Sequence, residues 1–428
     1  MKKLFSLLLV IAMVLGLCAC KAEEAPVQTT TEAAAEATFS VGFGRMNITP
    51  SPTTGVPLEG YDDRLSEGVL NFVMATCVAI TDTQDQTILL YTVDVCDTEK
   101  ENVEALREKL SAQTGIPGNN ITISGTHTHS GPEQSHIVNY VDLLVEVGLA
   151  ALEDRTPATI QTGSYDVPNM NFDRHYVMND GTMSGDNYGD SAVGRKEHVS
   201  IADSTMRLIR FQREDKKDVL MVNWQVHPKL ASTADTQEGK ATRNLISADF
   251  IGFTRDYVEK AQEDVLFAYY TGASGNVNPF SKLTEEKNIV TKQAKAYGEQ
   301  FGDHVIAALA QLTPAQSGNV GSKSAPIGDR GFTMHAYTIG SSIGFATVPA
   351  EIFHQTGTQI RENSACDITF VVTIANGRDT YIPIDEVWDY TVNTAQRPYE
   401  ERICRYPRGT AEAIAQELGQ MLTELAGK

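Results

Sequence analysis

Apolar and polar residues alternate along this chain in short runs whose period switches repeatedly between two and about 3.6. Residues 71–82 (NFVMATCVAITD) and 87–96 (TILLYTVDVC) are rich in β-branched and aromatic residues and flank a polar turn, which predicts paired strands. Residues 99–113 carry Glu, Leu and Lys at helical spacing, 121–125 (ITISG) is a short strand, and 139–154 is helical. The stretches 204–212 and 218–226 predict a second strand pair. Ser247 is placed to cap a helix running to about residue 262, with a strand at 265–270 (VLFAYY) beyond it. Long helices are expected over 285–311 and 409–426. Strands and helices interleave throughout, so the fold class is α/β, with a mixed β-sheet core and flanking helices. No internal repeat and no strong linker follows residue 38, which predicts a single large domain over 39–428.

The N-terminus breaks this pattern. Lys2 and Lys3 precede an apolar run from Leu4 to Leu17, too short for a comfortable membrane span and shaped like a signal peptide over residues 1–19. The run ends in Leu17-Cys18-Ala19-Cys20, which resembles a lipobox, with Cys20 as the acylated residue; a plain secretory signal is the other reading. Two acyl chains, each buried methylene contributing about 0.8 kcal/mol, would hold the protein as a cell-membrane lipoprotein facing the extracytoplasmic side. Residues 20–38 are rich in Thr, Ala and Glu and predict a flexible tether.

Composition narrows the partners. The formal net charge of −20 argues against nucleic acid, whose phosphates call for clustered Lys and Arg. Cys77, Cys96, Cys366 and Cys404 show no C-x-x-C spacing and form no disulfide framework, although Cys77 and Cys96 lie on adjacent predicted strands where a bridge is conceivable. Nothing in the chain specifies an oligomeric state.

The candidate chemistry begins at Gly125-Thr126-His127-Thr128-His129-Ser130-Gly131-Pro132, directly after the strand ITISG. In an extended backbone His127 and His129 would project to one side. Zinc accepts neutral imidazoles at about 2.0–2.1 Å, and a catalytic site holds about three protein ligands with a position left for water. Two histidines hydrogen-bonded within a polar turn would give the same local sequence. A second apolar run, Val219 to Val226, leads into His227-Pro228, again placing an imidazole where a strand leaves the core. Glu351 follows Thr347-Val348-Pro349-Ala350, between a predicted strand and helix. Tyr381 follows the turn-rich Ala375-Asn376-Gly377-Arg378-Asp379-Thr380. Taken singly, residues of these types at such places are more often surface or capping groups than ligands.

In combination the segments resemble the catalytic domain of the neutral/alkaline non-lysosomal ceramidases. The entry Val41 to Pro50 with Gly60-Tyr61, the THTHSGP run, Asn223-Trp224-Gln225-Val226-His227-Pro228, Ser247-Ala248-Asp249 with Gly252, Val348-Pro349-Ala350-Glu351, and Asn376 to Pro383 carry the likeness in order. The resemblance implies a zinc ion held by His127, His227, Glu351 and Tyr381. It also implies His129 as a pocket residue suited to proton transfer, and Arg174 as a stabiliser of the oxyanion. One position departs from the pattern. In Ala273-Ser274-Gly275-Asn276-Val277-Asn278-Pro279, Asn278 stands where the family has a serine, so it can donate a hydrogen bond to a carbonyl but cannot attack one. The expected activity is zinc-dependent hydrolysis of an amide, with an ester as a second bond type, in a lipid-like or small substrate. The alternative is a non-catalytic surface lipoprotein that binds a lipid or glycan.

Overall fold

The period-two runs form strands largely where the pattern puts them. A computed structural model describes residues 39–61, 63–185, 194–233, 241–283, 293–392 and 397–428. The signal segment, Cys20 and the tether to residue 38 lie outside the described residues, as does the expected start of the helix at 285. The principal elements begin with β1 (Ser40–Asn47), β2 (Met74–Thr81), β3 (Thr87–Val93), α1 (Lys100–Thr114), β4 (Ile121–Gly125) and α2 (Tyr140–Glu153). They continue with β5 (Thr156–Asp166), β6 (Thr205–Arg213), β7 (Asp218–Trp224), α3 (Asp249–Ala261), β8 (Val265–Thr271) and α4 (Ala294–Leu309). The last part contains β9 (Val320–Ile327), β10 (Phe332–Ile339), β11 (Ile343–Thr347), β12 (Glu351–Ile352), α5 (His354–Glu362), β13 (Ile368–Val372), β14 (Tyr381–Ile382) and α6 (Thr410–Leu425).

A nine-stranded sheet runs in the order β8-β7-β6-β5-β1-β2-β3-β4, with Thr313–Ala315 added to β5. Its interior pairs are antiparallel, but the outermost pair at each edge, β3 with β4 and β7 with β8, is parallel. Parallel neighbours need a crossover, and α1 and α3 lie in the two connections. A four-stranded sheet, β9-β10-β11-β13, has one parallel pair of its own, β11 with β13, joined through α5. Strands of a parallel pair are covered on both faces, which is why every residue of β3 and β11 is buried and their sequences read as unbroken apolar or small runs.

The large sheet curls until its two edges touch. Thr92 Oγ1 donates to the Tyr269 carbonyl at 2.6 Å, the Tyr270 hydroxyl to the Leu90 carbonyl at 2.9 Å, and Thr271 Oγ1 to the Thr126 carbonyl at 2.7 Å. The four-stranded sheet closes on the same core, where Tyr337, Phe345 and Phe370 pack with Leu90, Ile209 and Met221. Asn223 fastens it there. Its amide donates to Tyr270 O and Val371 O, both at 2.9 Å, and its oxygen accepts from the Val371 N–H at 3.1 Å. All three parallel pairs therefore deliver their carboxyl ends to one region.

Several local expectations shift. The helix expected from Ser247 starts at Asp249, with Ala248 at the cap position, because Ser247 Oγ accepts the Asp249 N–H at 2.9 Å in a tight turn where Asp249 has φ +53°. β7 stops at Trp224 rather than running to residue 226, so His227 sits on a loop, with its N–H donating to Val277 O at 3.0 Å. Cys77 and Cys96 are both buried and free, so no bridge joins them.

Candidate metal centre

Each parallel strand releases functional residues just past its carboxyl end, where backbone carbonyls stop pairing and the chain turns outward. β3 is followed by Cys96 and Asp97, β4 by His127 and His129, β7 by His227, β8 by Ser274 and Gly275, β11 by Glu351, and β13 by Arg378 and Tyr381.

His127 and His129 converge, though not through the extended backbone that their spacing suggested. β4 ends at Gly125, and His127 adopts a left-handed conformation with φ +66°, its N–H bonded to Val95 O at 3.0 Å. The His127 Nδ1 lies 2.9 Å from the Cys96 carbonyl, and His227 Nδ1 lies 2.7 Å from the Ser274 carbonyl. A carbonyl only accepts, so each Nδ1 carries hydrogen and each Nε2 faces inward. Glu351 Oε2 lies 3.2 Å from both Nε2 atoms, and the Tyr381 hydroxyl lies 3.1 Å from His227 Nε2. Glu351 and Tyr381 stand beside one another because β12 and β14 pair in parallel with these two residues in register.

The spacing fits a cation. Four ligands at about 2.0–2.1 Å in a tetrahedron stand about 3.3–3.4 Å apart, close to the separations found here. The hydrogen-bond inventory points the same way. Glu351 is 1% exposed, and among the described residues neither of its oxygens makes a hydrogen bond of acceptable geometry despite the short approaches. Lone pairs that close repel unless a proton or metal ion lies between them. Burial opposes charge on His127, yet Glu351 and Cys96 hold its pKa well above the ordinary value. Burial likewise opposes ionisation of Glu351, but His127 and Arg378 drive its pKa well below the carboxylate range. His227 is pushed down to about 3 by burial, with Arg174 acting in the same direction. These directions put one positive charge on His127 beside an ionised Glu351 and a neutral His227, the place a metal ion's charge would take. His127, His227 and Glu351 offer ligand atoms all within 4.8 Å of one another. Cys96, His127 and His129 form a second such group. Burial pushes the Cys96 thiol up to about 12, which keeps it protonated and makes it the weaker ligand.

The surrounding residues fix these ligands. His129 Nε2 lies 3.3 Å from His127 Nε2, and its backbone carbonyl accepts from buried Arg64 at 2.6 Å. Gly60, with φ +99°, presses against it: a β-carbon there would lie 2.6 Å from His129 Cβ, so only glycine fits. Gly275 approaches the Glu351 carbonyl in the same way, at 2.8 Å from a hypothetical β-carbon. Arg378 donates to Asp97 at 2.6 Å and reaches the far oxygen of Glu351 at 3.1 Å. Arg174 lies over the Tyr381 ring at 5.3 Å, and its Nε donates to Glu400 at 2.7 Å. His175 meets the other Glu400 oxygen at 3.1 Å. Asp97 and Glu400 carried no signal in the sequence, since each acts through a side chain remote in the chain. Arg378 lay inside a recognised segment but had no role apparent there.

A cavity of about 1130 Å³ opens onto the cluster. His127, His129, Arg174, Glu351 and Tyr381 line it, with Tyr61 and Tyr399 among its apolar walls. Asn278 is not on that wall; it is buried in the short ladder it forms with Phe172.

Comparison with known proteins agrees with this architecture. The family described as "Neutral/alkaline non-lysosomal ceramidase, N-terminal" matches residues 39–322. Among solved structures, the chain is similar to a neutral ceramidase from Pseudomonas aeruginosa at 15% identity and a TM-score of 0.70, covering 91% of this chain and 75% of that one. A ceramidase complexed with C2 is similar at the same identity and TM-score, covering 91% and 76%. No curated protein matches by sequence.

Proposed function

This chain belongs to the neutral/alkaline non-lysosomal ceramidase family, and on that premise we propose that it is a zinc-dependent amidohydrolase cleaving the N-acyl bond of a lipid-like or small amide. The observation that carries the reading is the cluster of His127, His227 and Glu351, completed by the Tyr381 hydroxyl, at the floor of a cavity large enough for a substrate. His127, His227, Glu351 and Tyr381 would hold a zinc ion there, and it would supply Lewis acidity sufficient to make water a nucleophile near neutral pH. The protein's own groups do the rest. Arg174 and Tyr381 lie together on the cavity wall, so charge developing on a substrate carbonyl oxygen would meet a guanidinium and a phenol already in position. His129, wedged between Gly60 and His127, presents an imidazole on the same wall, suited to hold or pass the proton that a leaving amine requires. Asn278 is buried beside Phe172 and does not line the cavity, which supports chemistry without a nucleophile at that position.

The second reading, a surface lipoprotein that binds a lipid or glycan without cleaving it, rests on that same absent serine. Hydrolysis of a panel of N-acyl amides, esters and ceramides, with and without chelator, separates the two. Chelator-sensitive release of a fatty acid, together with close to one zinc per chain, is expected. A purified protein that retains less than about a tenth of an equivalent of zinc and cleaves none of the panel would leave only the binder. The lipobox-like Leu17-Cys18-Ala19-Cys20 supports a further part of the proposal, acylation of Cys20 and residence on the outer face of the cytoplasmic membrane. Labelled fatty acid should enter the wild-type chain and not the Cys20→Ser variant.

A further inference from the structure

Ser247-Ala248-Asp249 with Gly252 carried part of the family likeness, yet none of the four lines the large cavity. The segment lies between the two histidine loops and bonds to both. On one side the Ser247 N–H donates to the Ser130 carbonyl at 2.9 Å, and Thr128 Oγ1 donates to the Ser247 carbonyl at 2.7 Å, so the loop is fastened on either side of His129. On the other, Asp249 Oδ2 accepts the Ala231 N–H at 2.6 Å, in the short helix Leu230–Thr233 that follows His227. Asp249 Oδ1 accepts the Phe250 N–H at 2.8 Å, opening α3. The two loops also meet directly, through the His129 N–H and the Pro228 carbonyl at 3.0 Å.

This clamp is itself held in place. Asn71 Oδ1 accepts from Ser247 Oγ and from the Ala248 N–H, both at 2.8 Å, and Asn71 Nδ2 donates to the Asp249 carbonyl at 3.1 Å. The Asn71 amide explains the glycine, because a β-carbon at residue 252 would lie 2.6 Å from Asn71 Nδ2. Asp249 has φ +53°, a left-handed conformation that a residue other than glycine keeps only where its surroundings enforce it. Burial pushes its carboxyl up to about 6, while the main-chain N–H groups of Ala231, Phe250 and Leu230 act the other way and leave it an acceptor at neutral pH. Opening α3 would take only an uncharged cap such as serine, without the cost of burying a carboxylate. The second oxygen reaches instead into the His227 loop.

We infer, on the metal reading proposed above, that Asp249 is a positioning residue for that centre. Through Ala231 on one side, and by way of Ser247 through Thr128 and Ser130 on the other, it sets the separation of the His227 and His127 imidazoles.

The test reads metal and not turnover. Cobalt(II) loaded into the metal-free protein reports ligand geometry in its visible spectrum, and chelator competition reports affinity. Asp249→Asn keeps the side chain's shape but sets a donor against a main-chain N–H, and should lower metal affinity about 10–100-fold with an altered cobalt spectrum. Val258→Ala removes buried packing from the same helix and should lower stability while leaving affinity and spectrum unchanged. Thr128→Val breaks the other arm alone and should shift both readouts in the same direction by a smaller factor. Wild-type affinity and spectrum in a folded Asp249→Asn, or in Thr128→Val where Asp249→Asn does not fold, would overturn the inference. So would an equal loss of affinity in Val258→Ala. Failure of the metal reading looks different: the wild-type chain would itself bind neither zinc nor cobalt, leaving Asp249 nothing to position and overturning both.

Discussion

The two sheets contribute unlike halves of the metal centre. The nine-stranded sheet provides His127 and His227, and each ring is fixed by a main-chain carbonyl, Cys96 O or Ser274 O, at a neighbouring strand end. The four-stranded sheet provides Glu351 and Tyr381, which are attended by guanidinium groups: Arg378, itself tied to Asp97, and Arg174, itself tied to Glu400. The difference follows from charge. A neutral imidazole needs only a dipole to set its tautomer, whereas a buried carboxylate needs a counter-charge to avoid a desolvation cost of several kcal/mol. One half should therefore depend on backbone geometry and the other on particular side chains.

The comparison can be broken most directly at an imidazole. His127→Ala should reduce amide hydrolysis by on the order of 10³ or more and lower bound zinc to a small fraction of an equivalent, measured by steady-state rates and elemental analysis. A variant that kept both metal and rate would remove the imidazole half from the centre.

The charged half offers the next largest effect. Glu400→Gln strands the buried Arg174 and should cost about 3–5 kcal/mol in denaturant unfolding. Burial opposes the Glu400 charge, but Arg174 and His175 hold its carboxyl down to about 2. An unfolded glutamate titrates near about 4.3, so this stabilisation is complete above that pH and is lost as pH falls from there through about 2. The variant should lack that portion of the acid slope, and an unchanged slope would contradict the pairing.

Arg378→Gln should act more narrowly. Outer partners of metal ligands typically change metal affinity by about 10–100-fold, and chelator competition would register that range. Wild-type affinity in this variant would show that Glu351 needs no counter-charge. The smallest effect belongs to Ser274→Ala. His227 uses the main-chain oxygen of residue 274, so loss of the hydroxyl should shift metal affinity by less than about threefold. A fall as large as that of Arg378→Gln would erase the distinction between the halves.

Much of the fold was legible because local pattern and burial agree. The runs at 87–96, 121–125, 218–226 and 265–270 became β3, β4, β7 and β8, displaced by a few residues at most. The ends were less legible. Nothing in the period announced that β7 would stop at Trp224 or that His127 would turn left-handed, since both follow from bonds to Val277 and Val95, far off in sequence. In the centre, the segments bearing His127, His227, Glu351 and Tyr381 were recognisable, while Asp97, Arg378 and Glu400 were not. The ion pairs of Arg378 with Asp97 and of Arg174 with Glu400 join residues more than two hundred positions apart, which leaves no spacing to read.

The sequence by itself determined which stretches are strands and helices, and which residue types stand at the strand exits, because periodicity and turn chemistry act over a few residues. Only the tertiary structure decided that four such exits meet. That meeting requires a sheet curled edge to edge through Thr92, Tyr270 and Thr271, and a second sheet pinned to it by Asn223. Those are long-range contacts, fixed by packing and hydrogen bonding once the chain has folded.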